Sequence, residues 1–180
     1  MATHALDEVL GAAQLGQPWA LRLLYDTLAP QVHGYLRAGG AAEPEELTSE
    51  VFLTVFTKLA TVTGGASGLR SFTFSVAHAR LVDALRQQQR RPAAVTYDPL
   101  RDARRSPSAE TDAEQRASAQ RTHALLARLP PDQRTVLTLR IIADLSLEEV
   151  AAAIGRSTGA VKQLQRRALL ALKTEVHSHA

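Results

Sequence analysis

The stretch 145–173, LSLEEVAAAIGRSTGAVKQLQRRALLALK, decides how this chain is read. It holds two short apolar periods of helical spacing, separated at Ile154-Gly155-Arg156-Ser157. Ser146 followed three residues on by Glu149 is a capping box, in which hydroxyl and carboxylate each accept from an orphan amide at a helix start. The spacing predicts a short helix from Leu147 with Val150, Ala151 and Ile154 turned inward. Gly155 suits the left-handed turn that ends a helix, and Ser157 can cap the next one. A step of about 100° per residue then aligns Val161, Leu164, Ala168 and Leu172 as the buried seam of the second helix. Gly159, Gln163 and Arg166 fall on the opposite face, flanked by Lys162 and Arg167. Five bases and no acid lie between residues 155 and 173. This is the helix-turn-helix arrangement, whose second helix enters a major groove. Arginine and glutamine are the side chains that pair bidentately with guanine and adenine edges. A plain helical hairpin would not need an acid-free outer face.

The whole chain sets the frame around that motif. Its 180 residues allow one ordinary domain or two small ones, and 45% hydrophobic with 22% charged residues is the composition of a soluble globular protein. The absence of cysteine rules out a disulfide scaffold and a thiolate metal site. No apolar run reaches membrane-spanning length, and the start, MATHALDEVLGAA, lacks a signal peptide's basic region and long apolar core. No membrane association is expected, and the cytoplasm is the default compartment. The six histidines are dispersed, with His177 and His179 in a terminal tail. There is no phosphate-cradling glycine motif and no nucleophile–base set. We therefore expect a non-enzyme without metal or cofactor.

Net charge is only +3, but its placement is uneven. Residues 43–50, EPEELTSE, hold four glutamates and no base, whereas RQQQRRP closes a segment with three arginines. An acidic surface for a protein partner and basic surfaces for phosphate follow from that asymmetry. From Trp19 to Arg91 apolar residues recur at helical spacing. LLYDTLAPQVHGYL ends at Gly39-Gly40, and EPEELTSEVFLTVFTKLA carries Leu47, Val51, Phe52, Val55, Phe56 and Leu59 as one stripe. Pro44 suits a first helical turn, and the glutamates beside it suit the positive end of the helix dipole. Gly64, Gly65 and Gly68 are expected to form a loop. A third helix, LRSFTFSVAHARLVDALRQQQRR, packs through Phe74, Ala77, Leu81, Ala84 and Leu85. Residues 92–113 contain three prolines and no apolar period, which reads as a flexible linker. The expected fold class is all-α, with a domain at 1–91, a linker at 92–113 and a helix-turn-helix domain at 114–180.

Three stretches carry a family resemblance. EPEELTSEVFLTVFTKL resembles the acidic-aromatic helix of bacterial RNA polymerase sigma factors, and LRSFTFSVAHARLVDALRQQQRR resembles the helix that follows it. LPPDQRTVLTLRIIADLSLEEVAAAIGRSTGAVKQLQRRALLALK is similar to the domain that closes those proteins. The order and the two-domain plan resemble the compact extracytoplasmic-function (group IV) class. The resemblance implies core RNA polymerase as a partner, through its beta-prime clamp helices and beta flap, and promoter DNA as a second. It gives Glu45, Glu46, Glu50 and Phe52 a polymerase-docking role. Arg70, Phe72, His78, Arg80, Asp83 and Arg86 would open and read the minus-ten element, with 61–69, TVTGGASGL, where a flipped base is captured. Arg156, Ser157, Thr158, Lys162, Gln163, Arg166 and Arg167 would meet the minus-thirty-five element. An anti-sigma factor is implied as a further partner, with Leu170 and the surroundings of Phe72 as apolar anchors. Ser49, Phe72, His78, Ala79 and Gln163 depart from the residues usual in the family. Arg80 and Asp83, three apart, are also placed to pair with each other.

Two other classes compete. A dimeric helix-turn-helix repressor or activator would need a self-association surface and a palindromic operator. The separate acidic helix and basic aromatic helix argue against it. An adaptor that binds no DNA would leave the basic face of residues 156–167 without a purpose.

Overall fold

The structure, a computed structural model, describes the backbone of residues 2–90 and 124–178 and the side chains of 6–90 and 124–174. The expected linker at 92–113, the boundary at 114 and the two terminal histidines lie outside the described residues or side chains. All the regular structure described is helical: α1 (Ala2–Gln14), α2 (Pro18–Ala38), α3 (Pro44–Lys58), α4 (Gly65–Arg90), α5 (Pro131–Ile141), α6 (Leu147–Ile154) and α7 (Thr158–Ser178). The all-α expectation holds.

The first four helices wrap one core. Leu24, Leu28, Val32, Tyr35 and Leu36 of α2 meet Val51, Phe52 and Val55 of α3 and Phe74, Ala77 and Leu81 of α4, all essentially without solvent contact. Rows at i, i+3, i+4 and i+7 bring those side chains to one stripe of each helix. Pro30 sits inside α2 on its exposed side. The carbonyl it leaves without a helical donor therefore faces water, and the helix runs on.

The amino-terminal helix α1 has no counterpart among the sequence expectations. Leu6, Val9, Leu10 and Ala13 bury its inner face, and its polar side chains tie two other helix ends. Gln14 Nε2 donates to the carbonyls of Leu59 (3.2 Å) and Val62 (2.8 Å) where the chain leaves α3. The Asp7 carboxylate accepts from the Ala66 amide at 2.5 Å, satisfying an orphan donor in the first turn of α4.

That first turn corrects the reading of 64–68 as a loop. Gly65 and Gly68 are helical, and only Gly64 precedes the helix. The glycines serve close packing of backbone: a Cβ at Gly68 would stand 1.8 Å from the Thr63 carbonyl oxygen. Gly68→Ala gains about 1 kcal/mol of helix propensity, but it must displace main chain, a strain of about 1–3 kcal/mol or more. We expect net destabilisation, read as a lower urea midpoint at unchanged m-value.

The helix-turn-helix forms as its sequence dictates. Ser146 Oγ accepts from the Glu149 amide, and the Glu149 carboxylate accepts from the Ser146 amide, completing the capping box. Gly155 adopts φ +65°, and its amide returns to the Ala151 carbonyl. Ser157 Oγ accepts from the Ala160 amide at the start of α7. Val161 and Ala168 are fully buried, with Leu164 and Leu172 partly so, which is the expected seam.

The two helical blocks are not held apart. Their apolar residues merge in one core that joins Leu69, Phe74 and Ala77 to Val136, Leu139, Ala143, Leu145, Val150, Ala151 and Ala153. The most extensive helix–helix packing among the described residues is that of α4 against α6.

Candidate functional site

Three surfaces carry the residues singled out in the sequence. The first is the outer stripe of α3. Glu46, Glu50 and Leu53 recur at i, i+4 and i+7 on one face, and Leu53 is 70% exposed. Phe52 is not on this face. It is 2% exposed, with its ring against Tyr25 (4.7 Å between centroids) and Phe56 (5.6 Å). The docking role expected for Phe52 is therefore corrected: burial in the core removes it from any partner's reach, and Leu53 is the apolar group that the stripe offers. Exposed leucine at that position was visible in the helical register, since it falls one turn after Glu50 and opposite Val51 and Val55.

The carboxylates on this surface differ in state. Glu45 is held below its ordinary value, first by the bond from its own backbone amide and then by His33, whose Nε2 lies 3.0 Å away. Glu46 is pushed above it by the hydrogen bond and charge of Glu43, with Glu50 adding repulsion. The acidic cluster therefore repels itself, a condition that a cationic partner relieves.

The second surface is α4, and here the structure separates the expected minus-ten residues. Phe72 is half-buried; Arg80, Asp83 and Arg86 are on the exposed side. Arg80 does not pair with Asp83. Its guanidinium reaches across to α3, 3.7 Å from the Glu50 carboxylate and 3.3 Å from the Thr54 hydroxyl. Asp83 instead meets Arg86 at 3.6 Å. The acidic stripe and the exposed face of α4 are thus contiguous.

His78 is half-buried, with Nδ1 2.8 Å from the Tyr35 hydroxyl. Burial holds the Tyr35 phenol protonated, and its hydroxyl shares this hydrogen bond with the His78 ring. Burial also pulls His78 below its ordinary 6.5, partly offset by the charge of Asp132. A histidine kept neutral binds fewer protons folded than unfolded, so stability falls as pH drops below 6.5 and levels off beneath the folded value. His78→Gln is expected to flatten urea midpoints measured between pH 7 and 5; an unchanged slope would assign that dependence elsewhere.

Arg70 is a plain correction. Expected at DNA, it is 8% exposed and faces the helix-turn-helix block. Its guanidinium donates to the carbonyls of Ala143 (2.9 Å) and Asp144 (2.6 Å) and lies 3.4 Å from the Glu149 carboxylate. In this conformation its burial, not a role at DNA, sets its contacts.

The third surface is the outer face of α7. Ser157, Lys162, Gln163, Arg166 and Arg167 are exposed, and Thr158 is half-buried. Arg156 is exposed but bonded to Asp132 of α5 at 2.7 Å. An ion pair so open to water is worth about 0–1 kcal/mol, so that guanidinium is readily released. Leu169 and Leu170 are about half exposed, as expected for Leu170, and line a shallow groove with Leu147, Lys162 and Arg166.

Residues 24–91 match the Sigma-70 region 2 family, and residues 125–174 match Sigma-70, region 4. SigD of Mycobacterium tuberculosis, an ECF RNA polymerase sigma factor, is 35% identical over 98% of this chain and 86% of its own length. The chain belongs to the extracytoplasmic-function RNA polymerase sigma factors. SigX of Bacillus subtilis, another member, is 30% identical over 84% of this chain and 81% of its own. The fold is that of CnrH, solved in complex with the cytosolic domain of CnrY, with a TM-score of 0.74 at 19% identity over 98% of this chain and 99% of CnrH. As a sigma factor the chain directs promoter-specific transcription by RNA polymerase. Region 2 thus takes in α2 to α4, with the acidic stripe and the expected minus-ten helix, and region 4 takes in the helix-turn-helix.

Proposed function

We propose that this sigma factor docks core RNA polymerase through Glu46, Glu50 and Leu53 of α3 and reads promoter DNA with two further faces. The minus-ten element meets the exposed side of α4 around Phe72, Arg80 and Arg86, and the minus-thirty-five element meets α7. The observation that carries the reading is the coexistence in one chain of a self-repelling acidic stripe and a recognition helix with only bases among its charged residues up to Lys173. A carboxylate cluster steers association with a basic protein surface and repels DNA, whereas the outer face of α7 does the reverse. Leu53 supplies the apolar anchor that charge alone lacks. Ser157, Thr158, Lys162, Gln163, Arg166 and Arg167 form the reading surface, and Arg156 joins it on leaving Asp132. The protein would work in the cytoplasm, where polymerase and promoter are, with no enzymatic step and no cofactor. An anti-sigma partner would find apolar footing at Leu169 and Leu170 beside the bases of α7.

Glu46→Lys with Glu50→Lys tests the docking half. Both side chains lie on the outer face of α3, so helicity by circular dichroism should be unchanged. Co-elution with core polymerase on gel filtration should fall at least tenfold, about 1.4 kcal/mol. Undiminished co-elution of the folded variant would remove the stripe from the interface.

A further inference from the structure

We propose that Asp7 and Gln14 of α1 are positioning residues for promoter opening: they brace, from behind, the 59–66 segment against which the melted minus-ten strand is held. The inference rests on the minus-ten reading of α4 proposed above.

The segment joins the acidic helix α3 to α4 and has little of its own to hold it. Gly64 and Gly65 both take left-handed backbone, at φ +86° and +62°, and Gly68 follows in the first turn of α4. Glycine loses more conformational freedom on ordering than any other residue. That first turn also has no acidic residue of its own to meet its orphan amides. Between residues 60 and 67 only Val62 and Ala66 are buried, while Thr61, Thr63 and Ser67 are exposed.

Helix α1 supplies what is missing. Gln14 Nε2 donates to the Leu59 and Val62 carbonyls on one side of the turn, and Asp7 Oδ1 accepts from the Ala66 amide on the other. The carboxylate also sets a negative charge at the positive end of α4. Gly65 leaves room for it, since a Cβ there would stand 2.6 Å from Asp7 Oδ1. Asp7 and Gln14 are seven residues apart, two turns along one face of α1. Leu6, Val9, Leu10 and Ala13 seat that helix in the core, so the brace is anchored independently of the segment it holds.

The braced segment leads onto the reading face. Gly68, Phe72, Val76, Ala79, Asp83 and Arg86 follow at i, i+4, i+8, i+11, i+15 and i+18 along α4, a stripe that is half-buried or exposed throughout. A strand lying along that stripe from Arg86 to Phe72 runs on into Thr63 and Ser67. Single strands are gripped by cations along the backbone and aromatic faces under the bases. Arg86 and Phe72 supply those, and the turn beyond them adds hydroxyls and closely approached main chain. A surface ordered before the strand arrives spares the cost of ordering it on binding. Loss of the brace therefore weakens the grip on melted DNA and leaves the outer stripe of α3 and the helix-turn-helix as they were.

Asp7→Ala with Gln14→Ala removes all three bonds, whereas Asp7→Asn alone keeps a carbonyl oxygen for the Ala66 amide. In the free full chain, hydrogen exchange across 59–68 should be about tenfold faster in the double variant and unchanged in α2 and α7. The DNA probe is a labelled single-stranded oligonucleotide carrying the minus-ten sequence of a promoter mapped with the natural chain. Holoenzyme made with the double variant should bind it about fivefold more weakly by fluorescence anisotropy. Its affinities for core polymerase and for a duplex bearing only the minus-thirty-five element should be unchanged. Asp7→Asn should match the natural chain in every assay. Unchanged exchange across 59–68, or faster exchange there with undiminished oligonucleotide binding, would overturn the proposal. So would an equal loss of all three affinities, which is what a merely structural role gives. A natural holoenzyme that does not bind the oligonucleotide would instead remove the minus-ten assignment of α4, and hydrogen exchange would still report whether α1 braces the segment.

Discussion

Arg70→Ala is expected to remove about 3–5 kcal/mol of docking between the two halves, because it leaves the Glu149 carboxylate buried without its partner. The molecule can escape that penalty by opening, so the loss is limited to the free energy of docking. Within its own half Arg70 makes one long bond, 3.5 Å to Gln31, and the fold of α1–α4 does not depend on it. Calorimetry should therefore show one cooperative transition in the natural chain and two in the variant, with the smaller helix-turn-helix block melting first. A single transition at the natural temperature would show that the pair contributes nothing to docking.

Arg166→Ala should cost about 1–3 kcal/mol at the minus-thirty-five element if its guanidinium spans a guanine edge, a loss of about 5- to 150-fold in affinity. The loss should be confined to promoters with that base. Lys162→Ala should behave differently. Taking one cation away from a phosphate weakens all sequences alike and lowers the slope of log affinity against log salt by about one unit. Titration of the holoenzyme on matched and mismatched promoters at two salt concentrations separates the two. Equal effects on both promoters from both variants would mean that the outer face of α7 supplies charge and no readout.

Local rules were legible because their causes lie within a few residues. The capping box at Ser146 and Glu149, the left-handed Gly155 and the seam through Val161 and Ala168 are each set by spacing along one helix or its end. The apolar stripe of α3 was equally plain, and its own periodicity placed Phe52 inside; only the family resemblance drew that ring toward a partner. Arg70 could not be read that way. Its partners lie across the interface on α6 and the turn before it, and an arginine at the head of a basic aromatic helix carries no mark of burial. Arg80 was read as near Asp83 on its own helix, whereas the folded core sets α3 close enough for Glu50 to take it. The helix α1 was missed because its apolar residues, Leu6, Val9, Leu10 and Ala13, form a short period in a segment weighed only as a leader. Gly64, Gly65 and Gly68 look like a loop by composition, but close approach of backbone at Thr63 demands glycine inside a helix.

Run-off transcription by core RNA polymerase on a pool of genomic promoter fragments, with and without the chain, bears most directly on the function. With the chain present, discrete transcripts should start downstream of a shared pair of elements, one near minus ten and one near minus thirty-five. Transcripts identical with and without it, or a chain that binds palindromic sites as a dimer in the absence of polymerase, would contradict the account.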